Sequence, residues 1–227
     1  MKKITAIITT ITLFVLQAIL LYVFSIILKI MGLNISEMNS TNQNLIQILV
    51  YIIFMIAIFI FYRKSLINDF KDFKKNYKDY LKLGIKIWAI SVILMIVSNI
   101  IIQLFYSSVS ENEQIVSSSA KKFPLFMMFS SIIYAPFTEE IIYRKSIKNI
   151  FDNNIVYILV SGLAFGYVHT LASSNNLELL YIIPYGLVGS AFAYIYTKTK
   201  NIYTSITLHA LHNTIVTITY FLPLIFK

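Results

Sequence analysis

Besides Lys29 and Lys86, six ionisable side chains stand in this sequence inside or at the end of stretches that are otherwise apolar: Glu139, Glu140, Arg144 and the three histidines His169, His209 and His212. The other eight acidic residues (Glu37, Asp69, Asp72, Asp79, Glu111, Glu113, Asp152 and Glu178) fall in polar segments or at their margins. An ionisable group within a membrane span costs roughly 2.5–3.5 kcal/mol on insertion scales, so it is expected to face a bundle interior and to mark a site. Several such groups in one chain ask for a common explanation.

Spacing narrows the chemistry. Glu140 and Arg144 are four apart, on one face of a helix and able to pair, whereas Glu139 is rotated from Glu140 by about 100° and points elsewhere. The expected role of the Glu140–Arg144 pair is structural, a buried ion pair that sets helix register. Phe165 with His169, and His209 with Asn213, are also four apart, so three helices each offer a polar face to a shared interior. A carboxylate and a neutral imidazole that share one water form a general-base pair. A second imidazole with an amide donor from Asn213 can bind the oxyanion that forms when water adds to a peptide carbonyl. Those parts describe a peptide-bond hydrolase inside a bilayer. His212 is read as a hydrogen-bonded interhelical residue and Phe165 as packing. Gly162 and Gly166 are read as allowing close helix contact, Pro136 and Pro184 as kinks, and Tyr134, Tyr143, Tyr181 and Tyr185 as ordinary interfacial tyrosines. With no cysteine in the chain, thiol nucleophiles, thiolate metal sites and disulfides are excluded.

Hydropathy supplies the elements that must position these groups. The chain has 227 residues, 58% hydrophobic and 13% charged, with a mean hydropathy of +0.74. Such a composition indicates an all-α polytopic membrane bundle. A span needs about 20 residues, and apolar runs at 4–30, 45–62, 83–106, 123–143, 155–171, 177–196 and 202–226 predict seven transmembrane helices, with polar motifs on the fourth, fifth and seventh. The first run is too long for a signal-peptide core and lacks a small-x-small cleavage site, so a retained span with a start near Met1 is expected. One transmembrane domain, 1–227, follows, with accessory spans over 1–122 and a motif-bearing core over 123–227.

Orientation comes from the basic residues. Lys2, Lys3, the seven in Arg63–Lys82, the three in Arg144–Asn154, Lys198 and Lys200 fall on one side, against Lys121, Lys122 and Lys227 on the other. The positive-inside rule then puts the N-terminus in the cytoplasm and the C-terminus outside a cell membrane. The net charge of +9 is accounted for by insertion topology and anionic headgroups, so the bilayer and not nucleic acid is the expected partner. Arg63–Lys82, with Leu66, Phe70, Phe73, Tyr77 and Tyr80 at helical spacing, reads as an amphipathic surface connector. Ser107–Lys122 reads as a polar loop.

Depth gives a further expectation. At about 1.5 Å per residue from the cytoplasmic span ends, His169 lies ~21 Å in, His209 ~10 Å and Asn213 ~16 Å, but Glu139 only ~6–8 Å if its helix stops at Arg144. Convergence requires that helix to run on toward Phe151, which lifts Glu139 to ~18 Å.

The motifs are EExxxR (Glu139 to Arg144), FxxxH (Phe165 to His169) and HxxxN (His209 to Asn213). In this order on three separate spans, over roughly Pro124 to Leu222, they resemble the CAAX-protease and bacteriocin-processing (CPBP, or Abi) family of intramembrane proteases, some of which have eight spans. The resemblance implies an endopeptidase acting on a membrane-embedded or membrane-bound peptide or protein, near the cytoplasmic half of the bilayer. It also implies catalytic residues Glu139 and His169 as activators of water, His209 and Asn213 as the oxyanion site, and Glu140 with Arg144 as the structural pair. The HExxH spacing of zinc peptidases is absent, and the resemblance to glutamate-dependent members implies no cofactor; zinc held by Glu139, His169 and His209 is the minority alternative. Neither GxSG nor GxGD is present for serine or aspartyl intramembrane chemistry. The Ile-, Lys- and Asn-rich composition points to a bacterial member, where bacteriocin immunity, leader-peptide processing and pheromone maturation are the family roles. The alternative is a non-catalytic immunity or regulatory protein of the same fold. A proton-coupled transporter ranks last, because no internal repeat is present.

Overall fold

Apolar, Pro-poor runs whose backbone polar groups have no water to bond must close their hydrogen bonds within helices, and the computed structural model is built accordingly. It describes residues 3–171 and 175–225; residues 1–2, 172–174 and 226–227, with Lys2 and Lys227 of the charge tally among them, lie outside the described residues. The helices are α1 (Lys3–Ile30), α2 (Ser40–Phe105), α3 (Glu111–Lys122), α4 (Pro124–Ser146), α5 (Asn154–Val168), α6 (Asn176–Thr199, opening with a 3-10 turn) and α7 (Ile202–Ile225). No strand occurs among the described residues. Among them α1, α2, α4 and α6 are long and apolar enough to cross a membrane, and α5 is apolar but shorter. In α1 only Ala6, Thr10 and Leu13 are buried, and its exposed Ile and Leu side chains form a lipid-facing surface.

Seven helices are present among the described residues, but they are not the seven expected spans. The second and third expected spans belong to one 66-residue helix, α2, whose helical backbone continues through the connector. Tyr51 and Met95 of α2 line one cavity, although a straight helix would set them ~66 Å apart; α2 therefore bends back on itself through the connector. The inner face of that connector also differs from expectation. Leu66 is buried and Phe73 and Tyr80 half-buried, but Phe70 and Tyr77 are exposed, and Asp69, Asp72 and Asn76 turn inward instead. They do so because they have partners: Asn201 Nδ2 donates to the Asp69 carbonyl (2.7 Å) and to Asp72 (2.8 Å), Tyr80 Oη donates to Asp72 (2.8 Å), and Lys145 pairs with Asp69.

The expected loop Ser107–Lys122 holds α3. Its helix signal is capping and charge rather than hydropathy. Ser110 Oγ accepts from the Glu113 N–H at 3.2 Å, and acidic residues begin the helix while Lys121 and Lys122 end it, which matches the helix dipole. Ser110 also bonds Tyr185 Oη at 2.7 Å, and Glu178 accepts the Glu111 N–H at 2.7 Å, so α3 is fastened to α6.

Lys3 meets Asp152 at 2.7 Å, a hydrogen-bonded ion pair that holds this carboxyl below the usual carboxylate range. Together with the Asp69, Asp72, Lys145 and Asn201 contacts, it gathers the α1 start, the α2 connector, the α4–α5 turn and the α6–α7 turn on one face. These are the segments that the charge tally assigned to one side. α3 and its partners on α6 occupy the opposite face.

Glycine sets the α5–α6 contact. A Cβ on Gly162 would stand 1.9 Å from Ser190 Oγ and 2.8 Å from the Gly186 carbonyl, and one on Gly166 would stand 2.5 Å from the Ile182 carbonyl. This is the close approach expected of the two glycines, and Gly189 extends it by leaving room for Phe165.

Candidate active site

α4 carries the two carboxylates, and its backbone is irregular where they sit. The helix widens to π geometry at Phe129–Tyr134 and again at Glu140–Ser146, on either side of Pro136. Ala135 N–H donates five residues back to Ser130. The next donor in that register belongs to Pro136, which has no N–H, so the Ser131 carbonyl is left over. Asn213 Nδ2 takes it at 2.7 Å. Pro136 thus does more than kink the helix; it exposes the acceptor that anchors Asn213.

The helix does not stop at Arg144. Helical backbone continues to Lys148, then tightens into i→i+3 bonds at Asn149 and Ile150. The convergence argument therefore holds, with the helix ending three residues short of Phe151. α5 departs the other way: it ends at Val168, with His169 as its C-cap residue, so His169 lies at a helix end and not inside a span reaching 171. Fifteen residues rise only ~22 Å, which brings the chain end of α5 to the height of the site.

All four expected catalytic residues, Glu139, His169, His209 and Asn213, line one cavity of about 470 Å³. His169 Nδ1 is 2.7 Å from the Phe165 carbonyl, which can only accept, so Nδ1 carries the proton and Nε2 is a free base. Its ring is held between Phe165 (centroids 4.5 Å) and Tyr185 (4.8 Å, stacked). Phe165 is accordingly more than packing: buried itself, it orients His169 with its carbonyl and touches His169, His209 and Arg144 with its ring.

Glu140 and Arg144 are both fully buried and in contact, Nε to Oε2 at 3.1 Å, as the four-residue spacing predicts. The contact is an ion pair without hydrogen-bond alignment, and the guanidinium lies over Phe165 (4.6 Å) and Phe192 (5.6 Å). Glu140 has a second contact that spacing does not reveal: its Oε1 is 2.9 Å from His209 Nδ1. His209 Nε2 in turn lies 3.9 Å from Glu139 Oε2. One imidazole thus links the two glutamates, with Glu140 setting its tautomer and Glu139 facing the cavity. His212, expected to bond between helices, does so: Trp88 Nε1 donates to its Nδ1 at 3.3 Å. It also lines the cavity.

Among the described residues no three His, Asp, Glu or Cys side chains are grouped so as to hold a metal ion. The N-terminal part of the chain was expected to add only accessory spans, yet Gln17, Tyr51, Met95 and Asn99 from α1 and α2 line the same cavity. Tyr51 stacks on Tyr134 at 3.7 Å. Polar residues of α3, among them Ser110, Asn112 and Glu113, line its other end. The cavity therefore extends toward the face opposite the basic segments.

Residues 121–215 match the family of Rce1-like type II CAAX prenyl endopeptidases. YdiL of Bacillus subtilis, whose name marks it as a candidate membrane peptidase, is 34% identical over 112 residues, 48% of this chain and 43% of its own length. The membrane-embedded CAAX protease MroQ of Staphylococcus aureus is 29% identical over 156 residues, 66% of this chain and 61% of its own. The UPF0177 protein YvdC of Lactococcus lactis is 25% identical over 178 residues, 77% and 65% respectively. The chain thus spans less than two thirds of the length of each of these relatives. No solved structure matches it. All three polar motifs fall inside the matched segment, and through that segment the chain is similar to CAAX-protease-type membrane proteins.

Proposed function

We propose that the protein is an intramembrane endopeptidase that hydrolyses a peptide bond of a membrane-held peptide or protein. The observation that carries this reading is the convergence of Glu139, His169, His209 and Asn213, from three separate helices, on one cavity. The names of its relatives support it. In the proposed reaction a water lies between Glu139 and the unprotonated Nε2 of His169. As its oxygen bonds to the carbonyl carbon, Glu139 takes one proton and later delivers it to the amide nitrogen while the C–N bond breaks. Asn213 keeps one amide N–H beyond the bond to Ser131 and offers it to the oxyanion.

No step in this scheme uses a metal, and the two readings separate experimentally. The purified chain, reconstituted with a panel of quenched fluorogenic peptides bearing an apolar anchor, is expected to cleave at least one of them at an unchanged rate after zinc chelation with 1,10-phenanthroline. Loss of cleavage on chelation and its return with zinc would establish the metal reading instead. No cleavage of any peptide, with a biological effect retained by Glu139→Ala, would establish the non-catalytic one.

The gathering of basic segments on one face supports an N-terminus in the cytoplasm and a cavity that opens outward. Because the chain has no cysteine, single-cysteine variants report topology without background. In intact cells a membrane-impermeant maleimide is expected to label Gln114→Cys on α3 and to spare Lys78→Cys on the connector; the reverse pattern would invert the orientation.

A further inference from the structure

Three imidazoles line the cavity, and the partner at each Nδ1 decides what the opposite nitrogen can do. At His169 the partner is a backbone carbonyl and at His209 a carboxylate. Both only accept, so in the neutral ring Nδ1 holds the proton and Nε2 is a lone pair. At His212 the partner is the indole N–H of Trp88, which only donates. There Nδ1 must be the lone pair, and Nε2 carries the hydrogen. Among the described residues the bond from Trp88 is the one hydrogen bond that the His212 ring makes. A protonated His209 also has an Nε2–H, but it faces Glu139. His212 is therefore the one histidine whose uncharged form presents a donor to the cavity.

We propose that His212 is a substrate-binding residue, whose Nε2–H, held in place by Trp88, donates to the peptide carbonyl oxygen as it becomes the oxyanion. This rests on the endopeptidase reading above. His209, His212 and Asn213 all line the cavity from α7, where His209 is three residues from His212 and four from Asn213. A neutral imidazole suits the position: it stabilises developing negative charge without adding a charge that the apolar wall must accommodate. Trp88 is a positioning residue. It also explains why the bent-back second half of α2 belongs to the site, since it sets a tautomer that α7 alone leaves open.

The test uses the full chain in micelles, with its three histidines labelled with 15N, and the quenched apolar-anchored peptide that the wild type cleaves. One Nε2–H tautomer is expected, assigned to His212 by its loss in His212→Gln and converted to a tautomer mixture in Trp88→Phe. His212→Phe is expected to lower kcat by roughly 10²- to 10³-fold. His212→Gln, which keeps a donor near the same place, is expected to recover at least tenfold of that, and Trp88→Phe to lose about tenfold. An Nδ1–H tautomer at His212, or a His212→Phe variant within twofold of wild type, would overturn the proposal. If the chain cleaves no peptide yet shows the Nε2–H tautomer, the endopeptidase reading fails, and the carbonyl oxygen as the ligand of His212 fails with it.

Discussion

Glu139→Gln is expected to reduce cleavage by roughly 10²- to 10⁴-fold, the usual worth of a positioned general base, while the protein accumulates in the membrane at its wild-type level. The two halves of this expectation have separate grounds. Glu139 lines the cavity, and its side chain keeps 15% of its accessible surface. Among the described residues its Oε2 has no hydrogen-bond partner, and His209 Nε2 lies 3.9 Å away. Replacing it with an amide of the same shape leaves no buried cation without a counter-charge, because Arg144 is served by Glu140. The amide cannot accept and release the proton that water must give up. Membrane abundance by immunoblot and cleavage of the quenched peptide measure the two halves. A Glu139→Gln enzyme with undiminished kcat would remove Glu139 from the chemistry.

Glu140→Ala is expected to do the opposite, failing first in stability. Removing one member of a buried ion pair leaves the other charge without compensation, at a cost of ~3–5 kcal/mol, and Arg144 is fully buried. Its other neighbours include the faces of Phe165, Phe192 and Tyr143, which attract the cation but do not neutralise it. The variant is therefore expected to be degraded or to melt at much lower temperature. The double variant Glu140→Leu with Arg144→Met removes both charges and is expected to restore abundance. Activity is expected to stay at least tenfold down, because His209 Nδ1 loses the carboxylate that orients it. Full activity in the double variant would return Glu140 to the purely structural role that its spacing suggests.

Those two glutamates show how much of the site was legible in the sequence. The motif and the four-residue spacing separated Glu139 from Glu140 and paired the latter with Arg144, because helix periodicity makes i, i+4 contacts a local property. The contact between Glu140 and His209 joins residues 69 positions apart, and no local period encodes it. Trp88 and His212 are 124 apart, so the tryptophan carried no signal, and Tyr51 on α2 was invisible for the same reason. α3 was missed on different grounds. Nine of its twelve residues are polar, and a reading led by hydropathy passes over a helix stabilised by Ser110 capping and terminal charge. The extension of α4 past Arg144 was inferable, since three fixed heights had to meet.

By itself, then, the sequence determined an all-helical membrane chain, the side on which its basic segments gather, and the three motifs that meet in the cavity. Each of these follows from composition or from helical period, quantities that depend on near neighbours. Tertiary structure alone decided that α2 bends back so that both its halves reach the cavity, that Pro136 exposes a carbonyl for Asn213, and which nitrogen of each histidine bears the proton. Those outcomes turn on which donor meets which acceptor across helices. Such pairings are set by packing between segments far apart in the chain, and the residues on either side of each partner hold no record of them.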